Sequence, residues 1–289
     1  MLCPRNVEAV HPGLSPQGLV KPDFLILGAQ KSATTSLAMA LAAHPDVLLP
    51  KAKEAHHFGA VSDADAGGDA YRRFFAEWSG QRLIGDATPN YLVLPAATRQ
   101  IMRVAPEVKA ITVLRNPIDR AYSAYWHGVA AGVNRGSFEK VLAREPKWMA
   151  AGRPDFRAPR WGGCYSVHID RFLREGFPRS QWLFLLHDEV VARPVETLTA
   201  VQEFLGLEPL VTELPHLNTS QRSVLPWPLR RMVFRNRHRR VANSIAFRSR
   251  RPFTPPPMAE ATRRELQRFY APLNAELGSF LGRDLSHWV

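Results

Sequence analysis

Cysteine is nearly absent from this 289-residue chain, in which only Cys3 and Cys164 occur. Two thiols, one of them in a Pro/Gly-punctuated N-terminal stretch, support neither a disulfide framework nor a cysteine-based metal site. Long apolar runs are missing as well, the longest falling far short of the about 18 residues a membrane span requires. The N-terminus, MLCPRNVEAVHPGLSPQGLVKPDF, lacks the apolar core of a secretory signal. A cytoplasmic location is the resulting expectation. Acidic residues are absent from one region: between Leu214 and Ala259 there are ten arginines and no aspartate or glutamate. That segment carries nearly all of the net charge of +12, and a field of that sign attracts nucleotides, acidic sugars, nucleic acid or anionic lipid. With 45% hydrophobic and 22% charged residues, the chain is otherwise an ordinary globular protein, long enough for one sizeable core.

Apolar runs at Phe24–Leu27, Ala110–Leu114 and Trp182–Leu186 alternate with helical patterns, which predicts an α/β single domain with a central parallel sheet flanked by helices. A helix is expected over Ser36–Ala43, ended by Pro45. Another starts at Asn116-Pro117, a capping residue followed by proline at the first helical position, and carries Ala121, Ser123 and Trp126. A third opens at Pro194 and closes at Gly206. The expected organisation is a tail over 1–21 and a domain over 22–289. Within the domain lie an Arg-rich helical insertion at about 222–252 and a C-terminal helix at about 258–281. That last helix has a stripe of Leu266, Phe269, Tyr270, Leu273, Leu277, Phe280 and Leu281, and PFTPPPM at 252–258 is a stiff connector before it.

The turn GAQKSATTS joins the first strand to the first helix. Small Ser32 and Ala33 let backbone N–H groups approach an anion, Thr34, Thr35 and Ser36 add hydroxyls, and Lys31 adds a full charge. Neither the G-x-x-x-x-G-K-[ST] loop of NTPases nor the G-x-G-x-x-G dinucleotide fingerprint is present, because Gly28 is the only glycine of the stretch. A plain strand-to-helix turn with a surface lysine stays open as an alternative. KAKEAHHFG at 51–59 brings Glu54, His56 and His57 together, a set suited to general acid–base work or, equally, to a solvated loop. The two histidines lack metal-ligand spacing with a third ligand, so no metal is expected. VLRNPIDRAYSAYWH repeats the first pattern: a strand delivers Arg115 to its end, and the following helix carries Ser123. Two such places imply a ligand with two separated anionic groups.

From about Pro22 to Trp288 these residues resemble the sulfotransferases that use 3′-phosphoadenosine 5′-phosphosulfate (PAPS), in particular the heparan-sulfate branch and its bacterial relatives. GAQKSATTSL resembles the 5′-phosphosulfate loop and VLRNPIDRAYSAYWH the 3′-phosphate motif. HPDV, KEAHHF, GDATPNYL, GCYSVHIDRFLREGFP, FLGL and FYAPLNAELGSFLGRDLSHW follow in compatible order. The resemblance implies a nucleotide-kinase-like, P-loop-type sulfotransferase fold. It further implies that Lys31 and the backbone of Ser32, Ala33, Thr34, Thr35 and Ser36 hold the 5′-phosphosulfate. Arg115 and Ser123 would hold the 3′-phosphate, with Tyr165 and Arg222 completing the nucleotide set. Glu54 matches the base that acts on the acceptor, and His56 a histidine beside it. PAPS would be the co-substrate, adenosine 3′,5′-bisphosphate (PAP) the product, and no metal would take part. Two positions depart from the family: Ala33 stands where glycine is usual, and Ala87 where some heparan-sulfate enzymes have an active-site lysine.

Two other classes compete. A kinase or NTPase would share the sheet but needs Mg²⁺ ligands and a phosphate loop that the sequence does not show. A nucleic-acid-binding protein could use the arginines alone, although no nucleic-acid partner is expected under the sulfotransferase reading. The basic segment 226–251 has three readings: solvated helices, closure over the nucleotide or an acidic acceptor, and peripheral membrane contact through its interspersed Trp227, Met232, Val233 and Phe234. The acceptor, by hydroxyl more than amine, is a carbohydrate, a lipid or another small molecule such as a secondary metabolite.

Overall fold

The computed structural model describes residues 20–150, 158–210, 221–223, 225–235 and 250–288. Its centre is a five-stranded parallel sheet of β1 (Phe24–Gly28), β2 (Val47–Leu48), β3 (Leu83–Asp86), β4 (Lys109–Leu114) and β5 (Trp182–Leu186), in the order β2-β3-β1-β4-β5. All four pairings are parallel. The three strands expected from the sequence are β1, β4 and β5. Strands β2 and β3 are additional, and they complete the sheet on the far side of β1.

Alternation along β1 divides the core. Leu25 and Leu27 face one side, with Ile84, Ala110, Leu114 and Trp182, while Phe24 and Ile26 face the other, with Ile111 and Val113. The first face is covered by α3 (Pro95–Val104), α6 (Tyr165–Arg174) and the C-terminal helix Glu260–Leu281, through Ile101, Ile169, Phe172 and Leu277. The second is covered by α1 (Thr34–Ala42) and α8 (Pro194–Leu205), through Leu37, Leu41, Leu198, Val201 and Leu205. Each such side chain, fully buried, is worth about 1.5–3 kcal/mol of apolar transfer. Gly85 is required by this packing, since a Cβ there would lie 2.3 Å from the Phe24 ring. Gly206 ends α8 in the left-handed conformation, as its sequence position predicted.

Strand order sets where a ligand can bind. From β1 the chain leaves toward the β2 edge, and from β4 it leaves toward β5, so the connections diverge between the carboxyl ends of β1 and β4. That divergence opens a crevice at the topological switch point. The helix after β4, α4 (Pro117–Ala130), packs with α5 (Phe138–Ala150) and the C-terminal helix through Ile118, Tyr125, Phe138, Leu142, Leu266 and Tyr270.

Two sequence expectations are corrected. The segment 222–252 is not helical throughout: its ends form strands β6 (Gln221–Ser223) and β7 (Arg250–Pro252), paired antiparallel, with α9 (Trp227–Arg235) between them. Residues 236–249 of that segment, and nearly all of the 1–21 tail, lie outside the described residues. The C-terminal helix, expected at about 258–281, runs over Glu260–Leu281, but its apolar stripe is narrower than its period suggests. Leu266, Tyr270 and Leu277 are buried, whereas Phe269 and Phe280 are more than a third exposed, Phe269 lying beneath the Arg160 guanidinium. Among the described residues no helix is long and apolar enough to cross a membrane.

Candidate active site

Beyond β1 the backbone turns sharply. Ala29 N–H still bonds to Val113 O across the strand pair, at 2.9 Å, but Lys31 and Ala33 take positive φ angles of 73° and 62°. Ala33 is the residue before α1, and no side chain caps that helix. An α-helix leaves its first four N–H groups without intrahelical partners, and they carry the positive end of the helix dipole. Here they face the crevice with no acidic residue in the first turn. Ser32 is fully buried within the turn, its hydroxyl beside that of Tyr165. The left-handed backbone at position 33 is the reason glycine would be at ease there; alanine adopts it at a cost of about 1–2 kcal/mol.

Facing this helix mouth is the loop after β2. Lys53 and His56 also have positive φ, 65° and 50°, so all four non-glycine residues of this kind among the described residues lie in these two loops. Backbone outliers concentrate where function constrains them. Between them, the Glu54 carboxylate accepts from Lys53 Nζ at 2.7 Å and lies 2.9 Å from His56 Nε2. Lys53 Nζ also reaches back to Thr35 Oγ1 of α1, at 3.1 Å. Burial alone would raise the Glu54 carboxyl, but the hydrogen bond from His56 and the charge of Lys53 outweigh it and hold the group at about 2.

The loop is fixed from beneath by Asp86 at the end of β3. This fully buried carboxylate accepts from Tyr91 Oη at 2.7 Å, Thr88 Oγ1 at 2.7 Å and Ala55 N at 3.3 Å. Burial pushes its pKa up, and those donors oppose the shift. His56 N bonds to Thr88 Oγ1 and His57 N to Tyr91 Oη, at 3.2 and 3.0 Å. The two histidines separate by role as a result. His56 sits on Glu54, while His57 is buried, stacked on Tyr71 with ring centroids 4.7 Å apart, and its Nε2 lies 2.9 Å from Ala66 O.

The second turn lies at the end of β4. One Arg115 guanidinium nitrogen donates to Lys31 O at 3.0 Å, joining the two turns across the crevice. Asn116 caps α4 by accepting from Ile118 N at 3.0 Å, Pro117 occupies the first turn, and Ser123 follows on the helix, partly exposed. Tyr165 is fully buried beneath this turn, its hydroxyl donating to Arg115 O at 2.9 Å. That bond braces Arg115 from beneath, and Tyr165 also meets Ser32 of the first turn. Leu114 pairs with Leu186, so the next residues, Arg115 and His187, leave adjacent strand ends. Burial, then the nearby Arg115 charge, lowers the His187 pKa. Strand β6, which contains Arg222, packs against α4. The strand pair continues into a stretch held on the same helix by Phe253 against Trp126 and by Tyr122 Oη on Pro256 O.

A family model for the sulfotransferase domain matches residues 21–225. The chain belongs to the sulfotransferase family. It is 30% identical over 269 residues to heparan sulfate glucosamine 3-O-sulfotransferase 6 of Mus musculus, covering 91% of this chain and 72% of that protein. Similarity to the bifunctional heparan sulfate N-deacetylase/N-sulfotransferase 3 of Homo sapiens, 32% over 212 residues, covers 69% of this chain but only 23% of that protein. Among solved structures, a sulfotransferase from Alicyclobacillus acidocaldarius superposes with a TM-score of 0.71 at 29% identity, covering 93% of this chain and 98% of that one.

As a sulfotransferase, the protein has its positive charge and its open helix end on one side of the crevice and its candidate base on the other. Among the described residues, no group of three or more His, Cys, Asp or Glu could hold a metal ion. Three residues of this site escaped the sequence reading. Lys53 was hidden because a lysine beside a glutamate reads as a surface pair. Asp86, in GDATPN, shows its role only once four donors, from Ala55, Tyr71, Thr88 and Tyr91, converge on it. His187 is placed by strand register, which no local pattern encodes.

Proposed function

We propose that this sulfotransferase moves a sulfuryl group from PAPS to a hydroxyl of a carbohydrate acceptor, releasing PAP. The observation that carries the reading is the contact across the crevice, in which Lys53 bridges Thr35 at the uncapped end of α1 and Glu54 of the base cluster. That contact supports a reading in which donor loop and base lie on either side of one gap. The 5′-phosphosulfate would lie against the N–H groups of residues 32–36 and Lys31, and the 3′-phosphate against Arg115 and Ser123, with Arg222 on the strand that packs on α4. In-line transfer requires fixed donors and cations where charge develops, and little covalent work from the protein. The acceptor oxygen attacks sulfur while Glu54 takes its proton; the bond from sulfur to the 5′-phosphate oxygen breaks, and Lys31 stabilises the oxygen that leaves. The names of the relatives support a carbohydrate. Ala87, fully buried after β3, supplies no cation toward it, which argues against their saccharide specificity.

The test is Glu54→Gln, which keeps the shape and removes the basic oxygen. Turnover from PAPS should fall by roughly 10²–10⁴-fold, with PAP affinity unchanged within about twofold, whereas Lys31→Ala should impair both. Near-full activity in Glu54→Gln would pass the role of base to His56. Thermal stabilisation by PAP and not by ATP·Mg²⁺ separates this reading from a kinase, because only a ligand of the native state raises its melting temperature. Transfer of labelled sulfate across carbohydrate, lipid and small-molecule acceptors, with mass analysis of the products, identifies the acceptor class.

A further inference from the structure

The KAK tripeptide at 51–53 contains two lysines with different fates. Lys51 is 84% exposed and pairs with Glu77, itself 62% exposed, an ordinary surface ion pair. Lys53 is only 18% exposed at its side chain, on a left-handed backbone. Its N–H donates to Pro50 O at 2.6 Å, and Ala87 N donates to its carbonyl at 3.4 Å, which fastens the turn to the end of β3. The ammonium is held between Thr35 Oγ1 and Glu54 Oε1, at 3.1 and 2.7 Å. Thr35 is the second residue of α1, so this cation stands in the gap between the open helix end and the base. Ordering a long lysine side chain costs rotamer entropy, and a carboxylate held by an ammonium is a poor acceptor of protons. Both costs are recovered if the pairing is temporary.

We propose that Lys53 is a shared cation, paired with Glu54 until a donor binds and then drawn onto the oxygens of the donor's sulfuryl group. The inference rests on the sulfotransferase reading above and assigns Lys53 a contact that reading did not include. When the sulfuryl group occupies the gap, its oxygens compete with Glu54 for the ammonium. The carboxylate is released to accept the proton of the acceptor hydroxyl, and the cation stays with the charge that moves as the new oxygen–sulfur bond forms and the old one breaks. Glu54, still 2.9 Å from His56, is thus a weaker base while the donor loop is empty and a stronger one when it is filled.

PAP lacks the sulfuryl group and PAPS has it, so the two ligands isolate the contact. Titration of the full chain with each, alongside Lys53→Met, should show PAPS binding weakened by about tenfold and PAP binding within about twofold of the parent, with kcat reduced as well. Lys53→Arg, which retains the charge, should recover part of both losses. Lys53→Gln serves as a second neutral variant if Lys53→Met does not fold. Equal weakening of PAPS and PAP would make Lys53 a structural residue, and no change in either would remove it from the transfer; each result overturns the proposal. If the parent chain bound neither ligand, the donor reading itself would fall, an outcome distinct from a failure at Lys53 alone.

Discussion

The turns after β1 and β4 occupy equivalent places at one sheet edge, yet they are built in opposite ways. After β1 the backbone is forced into left-handed conformations at Lys31 and Ala33, and α1 begins with no side-chain cap, so its N–H groups remain open to the crevice. After β4 the Asn116 side chain and Pro117 close the start of α4, and what projects is side chain, Arg115 and Ser123. On the proposed reading, an anion at the first turn would be held by main chain and dipole, and one at the second by the Arg115 guanidinium and the Ser123 hydroxyl. A backbone cradle tolerates changes of side chain but not of conformation; a side-chain clamp has the reverse tolerance. That contrast suits a donor whose chemistry occurs at one end, where geometry must be fixed, and whose grip is needed at the other.

Arg115→Ala tests the clamp and carries the largest expected effect. Losing a charge-assisted contact to phosphate, together with its bond to Lys31 O, should weaken PAP binding by about 100-fold, on the order of 2–3 kcal/mol. Adenosine 5′-phosphosulfate, which lacks the 3′-phosphate, should lose only a few-fold by titration. Equal losses for both ligands would mean that Arg115 acts chiefly by bracing the first turn, and the two turns would then be one unit.

Position 33 tests the cradle. At φ 62°, Ala33→Gly removes the Cβ penalty but loosens the unfolded chain, for a net gain of about 0.5–1 kcal/mol. Melting should rise by about 1–3 °C, with PAP affinity unchanged. Ala33→Val places a β-branched residue where it is a true outlier and should lower both stability and affinity for the 5′-phosphosulfate end. If valine were tolerated without loss, the left-handed turn would not be what holds the anion.

Sequence reading reached three of the five strands and the helix start at Asn116-Pro117, because continuous apolar runs and a proline-led helix start are local signals. It did not reach β2 or β3. Val47–Leu48 is two residues long, and LIGD ends in a carboxylate, so neither forms an apolar run; they become strands only by lying beside β1. Asp86 shows the same limit, since a buried carboxylate is affordable only where Tyr91, Thr88 and Ala55 supply donors from separate segments. The family resemblance names Tyr165 as a nucleotide contact, and the structure adds a supporting bond from its hydroxyl to Arg115 O. Resemblance transfers a position reliably, but whether a side chain faces the ligand or supports a neighbour that does depends on packing.

Asn116→Ala, expected to move stability and leave ligand affinity alone, probes the second turn from its hidden side. The Asn116 side-chain oxygen accepts from Ile118 N at 3.0 Å, so that oxygen is directed at the helix. Removing it should cost about 1 kcal/mol of stability, typical for a lost N-cap, seen as a melting point about 2–4 °C lower. PAP binding should hold within about twofold, because Arg115 and Ser123 are retained and α4 is pinned elsewhere by Arg263 on Asp119 at 2.8 Å. The opposite result, unchanged melting with affinity reduced tenfold or more, would show that the start of α4 is part of the anion site. The second turn would then bind by main chain as the first does, and the contrast between cradle and clamp would be lost.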